Sequence, residues 1–123
     1  MKYLIMVLSN PESAAALRRL SAEQGREFGL GHRALSEALA DSGELVVSEG
    51  LADQSNAVRV RVRDGETTTT DGPFAEAKEQ LAGFYLVECE SLERAVALAA
   101  RVPDAAFTDV EVRPVLDLRG MEM

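Results

Sequence analysis

Leu81-Ala82-Gly83-Phe84-Tyr85-Leu86-Val87-Glu88-Cys89 carries apolar side chains on both parities, Phe84 and Leu86 on one, Tyr85 and Val87 on the other. A strand of that kind has no side to turn to water, so it belongs in the middle of a sheet. Tyr3 to Leu8 is continuously apolar in the same way and stops at Ser9-Asn10-Pro11, which makes it a second central strand. Two further segments read as strands of lesser burial. Glu44 to Glu49 alternates, and Thr108 to Val115 sets Val110 and Val112 against Asp109, Glu111 and Arg113, the pattern of an edge or of a wet face.

Between the first two strands the period changes. From Glu12 to Ser42, Leu20, Phe28, Leu35 and Leu39 fall within a narrow arc at helical spacing, and Gly43 stops the segment. Gly25, Gly29 and Gly31 each cost about 1 kcal/mol relative to Ala inside a helix, so the segment is either one helix or two broken at the glycines. Ser91 caps a second helical stretch, with Leu92, Val96 and Ala99 at helical spacing and an end before Pro103.

The segment from Val58 to Asp71 is a hairpin. Val58, Val60 and Val62 alternate with Arg59, Arg61 and Arg63 before Asp64-Gly65, a pair that favours a two-residue turn. Pairing outward sets Arg63 opposite Glu66, Val62 opposite Thr67 and Val60 opposite Thr69, and the same parity puts Asp71 on the valine face. Asp71 is therefore expected to be an inward carboxylate.

With the hairpin set aside as an insertion, the order strand, helix, strand, strand, helix, strand is the split βαβ pattern of an α+β ferredoxin-like sheet. In that topology the first and third strands are central, as their two-sided apolarity independently requires. Both helices lie on one side, so the other apolar side needs a cover. The economical cover is a second copy packed sheet to sheet as a homodimer, and the alternative is the chain's own hairpin folded across it.

The 123 residues suit one domain, read as 1–116 with a tail at 117–123. Thirteen basic against 21 acidic residues give a formal charge of -8, which disfavours nucleic acid as a partner. One cysteine, Cys89, forms no internal disulfide, and one histidine, His32, builds no multi-histidine metal site. Cys89 shares the parity of Val87 and Tyr85 and reads as a buried, inert thiol. The opening apolar run is too short for a signal segment or a membrane span. These features predict a cytoplasmic protein with no membrane partner, no metal and no cofactor.

The block Asp71-Gly72-Pro73-Phe74-Ala75-Glu76-Ala77-Lys78-Glu79-Gln80-Leu81-Ala82-Gly83-Phe84-Tyr85 resembles the signature of the DGPF group within the YCII-related family. The resemblance extends through Arg59 to Gly65 and through Glu111-Val112-Arg113-Pro114-Val115. It implies a dimeric α+β barrel, often encoded beside sigma factors. His32, followed eleven residues later by Gly43, is similar to the histidine of the wider group, for which a His-Asp pair has been suggested as an active site. In classical members an aspartate precedes a proline after the second helix, whereas Val102 precedes Pro103 here, which leaves Asp71 as the expected carboxylate.

His32 lies close to the axis of the Phe28, Leu35 and Leu39 arc, which fits either a packed core histidine or a base poised for proton transfer. The expected catalytic pair is His32 as base with Asp71 as its orienter. Asp71 to Phe74 reads equally as a tight turn, and Glu76, Lys78 and Glu79 either as a solvated charge run or as a rim whose Lys78 meets an anion. Arg59, Arg61 and Arg63 form a positive stripe, and arginine's planar fork suits a carboxylate or another anion. Arg59, Arg61 and Lys78, with Gly72, Pro73, Phe74 and Tyr85, are the expected ligand-binding residues. Gly29-Leu30-Gly31 lacks a preceding strand and carries no nucleotide signal. Two functions follow: cofactor-free proton transfer of lyase or isomerase type on a small polar or anionic metabolite, or a noncatalytic metabolite-binding or regulatory module.

Overall fold

A computed structural model describes residues 1–74 and 78–117. The element order is β1 (Lys2–Ser9), α1 (Pro11–Arg18), α2 (Ala22–Ser42), β2 (Leu45–Gly50), β3 (Val58–Arg63), β4 (Glu66–Asp71), β5 (Gln80–Glu88), α3 (Leu92–Ala99) and β6 (Val110–Pro114). Short 3-10 turns at Gln54–Asn56 and Pro103–Ala106 complete it. Strands β2, β5, β1 and β6 form an antiparallel sheet in that order, so the two doubly apolar strands occupy its centre as their composition demands. This is the strand order of a ferredoxin-like α+β fold.

The first helical segment does divide, but not at its glycines. Helix α1 starts on Asn10, whose side chain accepts from the Ser13 N–H at 2.8 Å, and ends at Arg18. Helix α2 starts on Ser21, which accepts from the Gln24 N–H at 3.1 Å while the Gln24 carboxamide accepts from the Ser21 N–H at 2.9 Å. This reciprocal cap satisfies two donors that a helix start otherwise leaves open. Gly25, Gly29 and Gly31 all lie inside the unbroken α2. Gly43 ends it in the left-handed conformation at φ 79°.

Tyr3, Ile5 and Val7 of β1 and Tyr85 and Val87 of β5 point to the helices, where they meet Leu35 and Leu39 of α2 and Ala95, Leu98 and Ala99 of α3. Leu35 and Leu39 are each 1% exposed, and burying such a side chain contributes about 1.5–3 kcal/mol. In α3 the buried stripe runs through Ala95, Leu98 and Ala99, while Leu92 and Val96 are exposed. Small residues on the inner face let α3 sit close to the sheet. Cys89 is buried, and its thiol donates to the Ser91 carbonyl at 3.5 Å.

The other parity, Leu4, Met6, Phe84 and Leu86, is only partly covered. The hairpin does not cross it. Strands β3 and β4 form their own two-stranded sheet in the expected register, with Val58 opposite Asp71, yet every one of their residues is exposed. The valine face is thus an outer face, and Asp71 is not an inward carboxylate. The expected tail at 117–123 lies outside the described residues except for Asp117.

Candidate functional site

His32 leaves α2 on the side facing β5 and the Pro103–Ala106 turn, and both of its ring nitrogens are engaged. Nε2 lies 2.5 Å from Oδ1 of Asp104, and Nδ1 lies 2.6 Å from the hydroxyl of Tyr85. An ionised carboxylate can only accept, so Nε2 carries the proton toward Asp104, and in the neutral form of the ring Nδ1 accepts from the Tyr85 O–H. The result is a chain of three groups, phenol to imidazole to carboxylate. The Tyr85 ring stacks nearly parallel to the imidazole, at 3° and 6.0 Å between centroids, and Phe28 meets His32 edge-on at 5.1 Å.

The carboxylate partner is therefore Asp104 and not Asp71. Asp71 is exposed at the end of β4 and belongs to the separate hairpin sheet. Asp104 is 8% exposed, on the turn that starts at Pro103. A carboxylate this far from water needs a donor, and His32 supplies it. The one trace of this residue in the sequence is an aspartate just after Pro103, two positions beyond Val102.

Gly31 explains how Asp104 reaches His32. A Cβ on Gly31 would stand 2.8 Å from Cγ of Pro103, closer than real Cβ atoms approach other groups. The bare backbone of α2 lets the Pro103–Ala106 turn lie flush against the helix, one residue from His32. Gly25 and Gly29 have nothing within that reach. Only one of the three glycines serves packing.

The pair borders an open cleft of about 430 Å³, lined among others by Phe28, His32, Ser36, Ser48, Tyr85 and Asp104. Its floor is backbone at Gly50 and Gly83, which face each other across β2 and β5. A Cβ on Gly83 would stand 3.0 Å from the Glu49 carbonyl oxygen, so a side chain there would crowd both the strand pair and the floor. Burial pushes the Tyr85 phenol above its ordinary value, opposed by a hydrogen bond from Ser36 and aided by the negative charge of Asp104. Tyr85 therefore rests as a neutral phenol able to donate.

The other expected ligand residues do not gather here. Phe74 is 7% exposed beneath the Arg59 guanidinium, which stands 3.8 Å from its ring centroid. Gly72 passes so close to Gln54 that a Cβ would come within 2.2 Å of its carbonyl oxygen, and the Gly72–Pro73 bond is cis. Glycine, proline and phenylalanine of this block thus shape the turn that locks the hairpin to the Gln54–Asn56 segment. Arg61 is exposed on the hairpin, and Lys78 lines a different cleft. Ala75, Glu76 and Ala77 lie outside the described residues.

Among the described residues no helix is long and apolar enough to cross a membrane, and no three His, Cys, Asp or Glu side chains group as metal ligands. The family model of the YCII-related domain matches residues 1–119. An uncharacterised protein of Rhizobium meliloti (strain 1021) is 39% identical over 109 residues, covering 87% of this chain and 78% of the relative. With the split βαβ sheet and nearly the full length matched, the chain belongs to the YCII-related domain family.

Proposed function

We propose that this YCII-related protein, of the DGPF group, catalyses cofactor-free proton transfer on a small metabolite, with Tyr85, His32 and Asp104 as the proton-handling chain. The observation that carries this reading is the engagement of both His32 nitrogens, one by a buried carboxylate and one by a phenol, beside an open cleft. A histidine that served packing alone would not need a carboxylate shielded from water on one side and a phenol on the other.

The direction of proton flow follows from the bonds. When substrate gives a proton to the Tyr85 oxygen, the phenolic proton moves to Nδ1 and His32 becomes an imidazolium stabilised by Asp104. The return step runs backward through the same atoms, so a proton leaves one carbon or oxygen of the substrate and is delivered to another. Positioned acid–base groups of this kind contribute about 10²–10⁴-fold.

A second copy covers the open sheet face of Leu4, Met6, Phe84 and Leu86, since a monomer would leave this apolar surface in water. The partial exposure of these side chains supports that reading.

The test is a screen of small enolisable acids and ketones by solvent hydrogen exchange in deuterated water, read by proton NMR. A compound that loses a C–H signal with wild type, and about 10² -fold more slowly with Tyr85→Phe and with Asp104→Asn, supports the reading. Exchange by neither wild type nor variants, with binding intact, favours the noncatalytic metabolite-binding or regulatory role.

A further inference from the structure

A second cleft, of about 560 Å³, opens at the other end of β5, between α1, the Leu51–Gln54 segment and the strand start at Gln80. It shares only Ala82 with the His32 cleft. Arg18, in the last turn of α1, and Lys78, just before β5, both line it. Neither makes an ion pair among the described residues, in a chain with 21 acidic side chains available. Both cations are therefore available to an acid placed in the cleft.

The opposite sign is present as well. Asp53 lines the same cleft and is held ionised by hydrogen bonds from Ser55. Leu51 and Leu81, 48% and 41% exposed, give the cleft an apolar wall. A cleft that offers two cations for an acid, a carboxylate for N–H donors, and leucine side chains for a hydrocarbon matches one kind of small molecule.

We infer that this cleft binds a small amino acid with an apolar side chain, its carboxylate toward Arg18 and Lys78 and its ammonium toward Asp53. The volume is within the range of small-molecule sites, about 300–1,000 Å³.

The test uses ¹H–¹⁵N spectra of the full chain titrated with three matched probes. L-Leucine has both charges, 4-methylpentanoate lacks the ammonium, and 3-methylbutylamine lacks the carboxylate. Leucine is expected to shift the amides of Leu51 to Gln54 and of Lys78, leaving that of His32 in place, while each analogue binds at least about tenfold more weakly. Arg18→Gln and Lys78→Gln, both at exposed positions, are each expected to weaken leucine by about tenfold with the remaining spectrum unchanged. The inference is overturned if leucine at about 10 mM leaves these amides unmoved, or if 4-methylpentanoate binds as well as leucine.

Discussion

Strands β3 and β5 both carry a parity of bulky apolar residues, β5 on its second parity as well, yet Tyr85 and Val87 of β5 are at most 4% exposed while Val60 of β3 is 64% exposed. Alternation sets which side chains share a face and says nothing about what lies over that face. For β5 the cover is α2 and α3, joined to the sheet by short connections. For the hairpin the described residues supply none. The same local rule thus yields a core in one place and an outer surface in the other, and His32, Tyr85 and Asp104 sit where the cover exists.

The largest effects should separate these regions. Leu35→Ala, beneath α2, is expected to cost about 2–5 kcal/mol, and Val60→Ala on the hairpin less than about 0.5 kcal/mol, read from denaturant midpoints. A comparable loss at Val60 would show that the hairpin's valine face is covered in solution. Next come the two aspartates. Asp104→Ala strips the partly buried His32 N–H of its acceptor and should cost about 1–2 kcal/mol, whereas Asp71→Ala should stay within about 0.5 kcal/mol.

The glycines of α2 give a smaller and oppositely signed pair. Gly25→Ala and Gly29→Ala should each stabilise by about 0.5–1 kcal/mol, because their sites are open and helical. Gly31→Ala gains the same helix preference but drives a methyl against Pro103, so it should come out less stable than either and loosen Asp104 from His32.

The smallest effect depends on pH. Arg94 binds Glu44 through two bonds, of 3.0 and 2.8 Å, and with Ser42 it lowers the Glu44 carboxyl to about 2. A carboxylate depressed in the folded state stabilises above its ordinary value of 4.5, and that contribution disappears as pH falls from there toward 2. Glu44→Gln should therefore narrow its gap from wild type across that window, in melts taken at successive pH values.

The sheet order was legible because β1 and β5 carry their central position in their own composition. The hairpin register was equally plain, since Asp64-Gly65 fixes the turn and every pair follows from it. The division of the helical segment was marked too, by Ser21 and Gln24 at capping-box spacing, a signal weaker to the eye than three glycines. His32 could be placed on an inner face from periodicity alone. Its partner could not, because Asp104 arrives from 72 residues away on a turn whose position depends on the missing side chain at Gly31. Such a contact is set by tertiary packing, which no local pattern encodes. Asp71 was drawn into the site by a face rule that held, applied to a face that turned out to be outside.

The central claim is that His32 is held between Asp104 and Tyr85, and its most direct test is a long-range ¹H–¹⁵N spectrum of the imidazole. The chain has a single histidine, so one ring accounts for the signals. The expected result is a neutral ring protonated at Nε2, with the pattern altered in Asp104→Asn and Tyr85→Phe and unchanged in Asp71→Ala. A ring protonated at Nδ1, or one that responds to Asp71→Ala and ignores Asp104→Asn, would contradict the account.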